Sequence, residues 1–212
     1  MKTIGICIPT IEGGVIAHQE IGREAARRGI AYPQIVTHTP LYGDLEQALK
    51  SGENQSLAAF IAGSINRTAK AGAEFAIISA NTPHIVFNDV VAQSNIPVLS
   101  ILDVAANYCE KQGYKSVGIL GTTWTIKNRL YNGPLQKRGM TAAYVSDTDQ
   151  AIVMDAILHE LINGIALKET ISELVRIAKE LATRCDEQNC GIEVVDTTRL
   201  LSHAALDFAT KD

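Results

Sequence analysis

The chain has 212 residues, of which 46% are apolar and 20% are charged, and its net charge at pH 7 is −4. This composition is typical of a globular protein with one large core or two small ones. The acidic balance excludes the basic footprint of a nucleic-acid-binding protein. No stretch of about 18 uninterrupted apolar residues predicts a membrane span. The chain enters a strand pattern directly and shows no secretory signal, which predicts a cytoplasmic protein.

Short apolar segments alternate with longer amphipathic segments along the whole chain. This alternation predicts an α/β protein with parallel sheets, because parallel strands covered on both faces are apolar throughout. Strands are predicted over residues 3–8, 34–39, 75–80, 96–100, 116–120, 141–145 and 192–195. Helices are predicted over residues 16–28, 55–70, 103–112, 125–137, 147–161, 169–183 and 197–209. Gly13-Gly14 is predicted to lie in a loop, and an irregular polar region is predicted to begin at Tyr42.

One local arrangement recurs four times: an apolar strand ends, the chain turns at a threonine, and a helix follows. The four copies cover residues 4–10, 75–82, 116–123 and 192–198. In the second copy, Thr82 is a predicted N-cap and Pro83 a predicted first helical residue. Such turns offer hydroxyls and backbone N–H groups at the positive end of a helix dipole, which suit carboxylates or phosphates. Because ligands bind at the carboxyl ends of parallel strands, we expect a small anionic ligand between two α/β halves.

The four cysteines show neither a disulfide pattern nor a metal pattern. Cys7 lies in an apolar segment and Cys109 in a helical one, so both are expected to be buried. Cys185 and Cys190 flank four polar residues with a spacing that is not that of a zinc motif. We therefore expect no metal site, and no disulfide in a reducing compartment.

Five motifs, in order along nearly the whole chain, resemble those of the aspartate/glutamate racemase family. They are Gly13-Gly14, Asn81-Thr82-x-His84, Gly121-Thr122-x-x-Thr125, residues 147–164 with Gln150 and Glu160-Leu161-x-x-Gly164, and Asp196-Thr197-Thr198-Arg199. The resemblance implies two Rossmann-like parallel-sheet halves, related by a pseudo-two-fold axis, with the site in the cleft between them. We expect residues 1–100 plus 197–212 to form the first domain and residues 101–196 to form the second.

The family reaction implied by this resemblance needs no cofactor. One cysteine thiolate removes the α-proton of the substrate, and a second cysteine returns a proton from the opposite face. This chain departs from the pattern at both positions. Ala80 stands immediately before Asn81-Thr82, where the family has its first cysteine. The second family cysteine lies in a Gly-Cys-Thr-Glu strand end, which this chain is too short to contain before residue 192, so Cys185 is the remaining candidate.

The predicted substrate-binding residues are Thr10, Asn81, Thr82, Thr122, Thr123 and Lys168, and the candidate catalytic residue is Cys185. Each has a structural interpretation as well. The asparagine and the threonines can be helix caps and turn residues, Lys168 a solvated helix charge, and Cys185 an incidental loop cysteine. Asp196 is expected to cap the last helix, and His84 either orients a ligand or serves as a hydrogen-bonded framework residue.

The resemblance predicts a racemase (isomerase) of the aspartate/glutamate type, which binds a small dicarboxylic amino acid without a cofactor or metal. Two alternatives remain open: a catalytically impaired relative that only binds its ligand, and a one-base lyase or decarboxylase of the same superfamily. The superfamily also includes hydantoin racemases and maleate isomerases. The resemblance admits a homodimer, and neither nucleic acid nor a membrane is an expected partner.

Overall fold

The computed structural model of the protein describes residues 1–185 and 193–211. Within them the strands are β1 Ile4–Cys7, β2 Ile35–His38, β3 Phe75–Ile78, β4 Val98–Leu99, β5 Ser116–Ile119 and β6 Thr141–Tyr144. The α-helices are α1 Ile11–Arg27, α2 Tyr42–Ser51, α3 Asn54–Lys70, α4 Phe87–Gln93, α5 Ile101–Gln112, α6 Thr123–Lys127, α7 Asn132–Gln136, α8 Asp147–His159, α9 Lys168–Ala182 and α10 Thr197–Thr210. Across these described ranges, every helix is too short or too polar to cross a membrane.

The chain divides into two compact units. Unit 1 consists of Met1–Val104 and Asp196–Asp212, and unit 2 consists of Ala105–Val195. Unit 1 contains a parallel sheet with the strand order β2-β1-β3-β4. Unit 2 contains a parallel pair formed by β5 and β6. The predicted α/β class with parallel sheets is therefore confirmed.

Strands β1 and β3 form the buried centre of unit 1. One face of these strands packs against α2, α3 and α4. The other face includes Phe75, whose ring centroid lies 4.6 Å from that of Phe208 in α10. Gly5 lets α3 approach β1 closely, because an added Cβ there would lie 2.6 Å from Thr68 Oγ1. Helices thus cover both faces, which explains why the two strands are apolar throughout.

Helix α1 begins at Ile11, before the predicted start, and the predicted Gly13-Gly14 loop is wrong. Both glycines lie in the first turn of the helix. An added Cβ at Gly13 would lie 2.5 Å from the Ser79 carbonyl oxygen, and one at Gly14 would lie 2.3 Å from Ile8 Cγ2. The glycines therefore allow close packing of a helix on the ends of the strands, and do not mark a loop.

Three other predictions of secondary structure are wrong. Residues Tyr42–Ser51 form α2 instead of an irregular region, because Leu45 packs into the core beside α3. The helix predicted at residues 125–137 is divided into α6 and α7 by a turn in which Arg129 has a φ of 48°. Residues 193–195 form no strand, and Ile192, where that strand was predicted to begin, lies outside the described residues. The fourth strand–threonine–helix copy therefore lacks a strand over its described part.

A network of charged side chains joins α1 to α10. Glu20 is only 4% exposed, and its carboxylate accepts from Arg199 Nη1 at 2.9 Å and contacts His203 Nε2 at 2.8 Å. It also pairs with Arg27. A hydrogen bond from His203, together with the charges of the neighbouring cations, lowers the pKa of Glu20 below its ordinary value. The buried carboxylate is thus compensated by cations from both helices.

We expect Glu20→Gln to lower the free energy of unfolding at neutral pH by about 2 kcal/mol, because it removes a buried charged acceptor. The pKa of Glu20 is lower in the folded than in the unfolded chain, so its contribution is present above the ordinary carboxyl pKa. The contribution is lost as the pH falls through the folded-state pKa. Denaturant unfolding over neutral to acidic pH should therefore show the difference between wild type and variant shrinking in acid.

The matched control is Glu46→Gln, which removes an exposed pair with Lys50 on α2. Such a pair contributes at most about 0.5 kcal/mol. A Glu20→Gln effect no larger than the control, or one that grows in acid, would contradict the buried network.

Candidate functional site

The residues predicted in unit 1 follow two adjacent strands. β1 and β3 lie side by side, and the chain leaves them towards opposite sides of the sheet, to β2 from β1 and to β4 from β3. In an open parallel sheet, this divergence opens a crevice at the carboxyl ends of the strands, where ligands bind. Thr10 follows β1, and Asn81 and Thr82 follow β3. All three residues therefore lie at the crevice of unit 1.

Gly13 brings the beginning of α1 against the turn after β3. The position of its missing Cβ is 2.5 Å from the Ser79 carbonyl oxygen and 3.3 Å from Thr10 Oγ1. From the same turn, Asn81 Nδ2 donates to Thr197 Oγ1 at 3.1 Å. Thr197 is the first residue of α10 and is not among the site residues predicted from the sequence. Its place in the Asp196–Arg199 motif was the signal that could have identified it.

The capping roles in unit 1 differ from those predicted. Thr82 is the first residue of a 3₁₀ turn, Thr82–Val86, that leads into α4, so it is not the N-cap. Asn81 occupies the cap position and makes no capping hydrogen bond through its side chain. Asp196 does cap α10, as predicted: its Oδ1 accepts from the backbone N–H groups of Thr198 at 2.9 Å and Arg199 at 3.2 Å.

The polar groups on either side of Ala80 are bonded to the framework. Ser79 Oγ donates to the Cys7 carbonyl oxygen at 3.2 Å, in the interior. The buried His84 contacts the Ala80 carbonyl oxygen through Nδ1 at 3.1 Å, and its Nε2 accepts from the Ile101 N–H at 3.2 Å. Burial lowers the pKa of His84 to about 4. The neutral ring therefore carries its proton on Nδ1 and ties the β3 turn to α5.

In unit 2, helix α8 holds the turn that follows β5. Thr122 caps α6 by accepting from the Thr125 N–H at 3.2 Å. Gln150 Nε2 donates to the Gly121 carbonyl oxygen at 2.9 Å, and the Thr123 N–H donates to Met154 Sδ at 3.3 Å. A thioether is a weak acceptor. Gln150 Oε1 is buried and has no hydrogen-bond partner among the described residues.

The other two predicted residues of unit 2 lie elsewhere in that unit. Lys168 is the exposed first residue of α9, and the described residues provide no hydrogen bond or ion pair to its ammonium. Cys185 lies just beyond α9, where its Sγ donates to the Leu181 carbonyl oxygen at 3.5 Å. The same Sγ is 3.5 Å from the position of a Cβ added to Gly118, which is inside β5 and not at its carboxyl end.

Cys7 and Cys109 are buried, as predicted. Burial raises the pKa of the Cys7 thiol to about 12 and also raises the pKa of Cys109. Both thiols therefore stay protonated at neutral pH, and neither is a base. Cys190 lies outside the described residues.

Two further clusters of acidic side chains contain none of the predicted site residues. Within residues 1–185 and 193–211, one group of metal-type ligands lies close together: Glu20, Glu24 and His203. Guanidinium groups already occupy its carboxylates, so the cluster is an ion-pair network. The second cluster lines an open groove between α8 and α9 in unit 2, with the carboxylates of Asp155, Glu160, Glu169 and Glu173.

Comparison with known families identifies the fold. The family model for Asp/Glu/hydantoin racemases matches residues 4–195. The chain belongs to this racemase family. Among curated relatives, the broad specificity amino-acid racemase RacX from Bacillus subtilis is 25% identical over 130 residues, which is 60% of this chain and 55% of that protein. An uncharacterized protein from Pectobacterium carotovorum is 34% identical over 71 residues, 34% of this chain and 47% of that protein. The chain thus spans about half the length of these curated relatives.

Solved structures of racemase-family proteins show the same fold. A candidate Asp/Glu racemase from Yersinia pestis has a TM-score of 0.85 and 26% identity, with all of both chains covered. An aspartate racemase homologue from Pyrococcus horikoshii has a TM-score of 0.77 and 24% identity, again over both whole chains. The aspartate racemase of Picrophilus torridus has a TM-score of 0.77 and 21% identity, covering 100% of this chain and 96% of that one.

We expect Gly13→Ala to lower the free energy of unfolding by about 1–3 kcal/mol, because the added methyl group would overlap a backbone carbonyl that cannot rotate away. Denaturant unfolding measures this loss. In addition, the backbone amide resonances of Asn81 and Thr82 should shift, since the turn after β3 has to move.

Gly22→Ala is the matched control on the same helix, since its added Cβ would meet nothing closer than Tyr32 Cε1 at 3.9 Å. Replacing a helical glycine at an open position should raise stability by up to about 1 kcal/mol. Equal effects of the two variants would contradict the close approach at Gly13.

Proposed function

We propose that this racemase-family chain is a cytoplasmic protein that binds a small dicarboxylic amino acid without a metal or cofactor, and that its two-base racemisation is impaired. The observation that carries the proposal is Ala80. It stands at the head of the Asn81-Thr82 turn, at the carboxyl edge of β3, and has no proton to transfer. The polar side chains near Ala80 either bind the ligand or make hydrogen bonds that hold the fold together.

Recognition is supported by the chemistry of the unit 1 crevice. Thr10 contributes a hydroxyl close to Gly13, and Asn81 contributes an amide that already donates to Thr197 of α10. The backbone N–H groups that follow strand ends favour carboxylates. In unit 2, Thr122 and Thr123 lie in a similar turn, where the Thr123 backbone N–H donates to a thioether, a weak acceptor. Hydroxyls, amides and N–H groups without a fixed cation should give an affinity on the order of micromolar to millimolar.

Impaired catalysis is supported by the lack of a substitute for the family's first cysteine. Ser79 donates into the interior, and His84 has both ring nitrogens bonded. Thr82 carries a hydroxyl, which is a weak nucleophile and base at its ordinary pKa. Loss of a positioned acid or base costs about 10²–10⁴-fold in rate. Stereochemical inversion needs one such group on each face of the α-carbon, so it is the reaction most affected.

Two other activities remain as alternatives. The first is an active isomerase with an altered proton relay, and the second is a one-base lyase or decarboxylase. Both require a proton carrier at the ligand, for which Cys185 is the predicted candidate. We rank them below binding because Cys185 Sγ lies beside the interior of β5 and bonds to a carbonyl group of α9. The homodimer admitted by the family resemblance is compatible with all three activities.

We expect calorimetric titration of metal-free protein to show binding of at least one enantiomer of aspartate or glutamate, or of another small dicarboxylate. In heavy water, exchange of the α-hydrogen of the same ligands, followed separately for each enantiomer, should be slow and without inversion. Asn81→Ala should weaken binding. The matched control is Asn66→Ala, which removes a half-buried amide that donates to the Gln93 carbonyl oxygen and accepts from the Asn95 N–H, and it should leave binding unchanged.

The outcomes separate the alternatives. No heat and no thermal shift at millimolar ligand would overturn the binding proposal. Rapid exchange with inversion would overturn the proposal that racemisation is impaired. It would show that proton carriers reach both faces of the α-carbon. Exchange without inversion would indicate one surviving base, and Cys185→Ala would then show whether that base is Cys185. Release of carbon dioxide from a substituted malonate would support the decarboxylase.

A further inference from the structure

Arg199 lies in the first turn of α10 and joins two carboxylates there. Its Nη1 donates to Glu20 Oε2 at 2.9 Å, and its Nε donates to Asp196 Oδ2 at 3.2 Å. Glu20 is itself buried and held by Arg27 and His203, so it is a fixed anchor. The guanidinium group therefore connects α1 to the residue that caps α10. With two carboxylates already bound, Arg199 is poorly suited to bind the carboxylate of a substrate.

The N terminus of α10 is where this network meets the predicted site. Asp196 caps the helix by accepting from the backbone N–H groups of Thr198 and Arg199. The residue between the cap and these donors is Thr197, whose Oγ1 accepts from Asn81 Nδ2 at 3.1 Å. A contiguous series of hydrogen bonds and one peptide bond thus leads from the buried carboxylate of Glu20 to the amide of Asn81.

We propose that Arg199 is a positioning residue for ligand binding: by bridging Glu20 and Asp196 it fixes the start of α10, and so the Thr197 hydroxyl that orients the Asn81 amide. This inference rests on the proposed function, since Asn81 is the predicted ligand-binding group. Arginine is suited to the role because its planar fork donates to two carboxylates at fixed angles, whereas a lysine ammonium acts as a point charge.

The chain provides a matched control at the other end of the same helix pair. Arg28 also joins two carboxylates, with Nε donating to Glu24 at 2.6 Å and Nη1 donating to Asp207 at 2.5 Å. Asp207 is in the last part of α10, about 16 Å along the helix axis from Asp196. Arg28 thus makes the same kind of contact between α1 and α10, without reaching the turn after β3.

The test compares Arg199→Met with Arg28→Met by calorimetric titration of aspartate and glutamate. We expect Arg199→Met to weaken binding by about five- to tenfold, within the range of coupling between residues of one network. Arg28→Met should leave binding unchanged at a comparable loss of thermal stability. Arg199→Lys should restore stability more than binding. Thr197→Val should weaken binding by itself, and its effect should not add to that of Arg199→Met, because both act through the same hydrogen bond.

A second readout keeps the inference testable if no ligand binds. In isotope-labelled protein without ligand, the side-chain amide resonances of Asn81 should move and exchange faster in Arg199→Met, and stay as in wild type in Arg28→Met. Equal shifts in the two variants, no shift in either, or additive effects of Arg199→Met and Thr197→Val would overturn the positioning role. Absence of ligand binding in the wild type, together with the predicted amide shifts, would overturn the proposed function and leave the Arg199 contact intact.

Discussion

The close approach of α1 to the carboxyl ends of β1 and β3 is the constraint on which the unit 1 site depends. Gly13 permits it, because any side chain would displace the Ser79 carbonyl group. The approach sets the start of α1 against the turn after β3, at the point where the chain diverges from the centre of the sheet. It also places α1 so that its charged face can pair with α10. The residues around Asn81 are thus fixed from two sides by packing and ion pairs.

Binding and proton transfer require different groups. The unit 1 crevice contains hydrogen-bond donors suited to binding, but Ala80 provides no group that can transfer a proton. Binding requires donors held in place, and the Asn81 amide is held by its hydrogen bond to Thr197 Oγ1. Proton transfer requires a group whose pKa suits the reaction and whose proton can leave. Ala80 has no such group, and His84 is kept neutral by burial and committed by its two hydrogen bonds. In the function that we propose, this member of the racemase family retains the groups that recognise the ligand and lacks the family's proton carrier on one face of it.

Much of the fold follows from local patterns, since buried parallel strands such as β1 and β3 are continuous apolar segments bounded by turn residues. Local patterns predict the wrong secondary structure where contacts between residues far apart in sequence determine it. Gly13 and Gly14 suggest a loop when considered alone, and only the neighbouring Ser79 carbonyl group shows why they lie in a helix. For the site, the turn at Asn81 could be located from its motif. The contacts of Arg199 could not, because its partner Glu20 is far away in sequence and is brought near by the packing of α1 on α10.

The most direct test of the central claim is to supply the missing group. In Ala80→Cys, a thiol stands before Asn81-Thr82, and Ala80→Ser is the matched control with a hydroxyl that is not a base at neutral pH. We expect Ala80→Cys to accelerate exchange of the α-hydrogen by about 10²-fold or more for one enantiomer of the bound amino acid. This exchange should proceed without inversion, and Ala80→Ser should leave it unchanged. Ligand affinity retained in Ala80→Cys with exchange no faster than in Ala80→Ser would contradict the account.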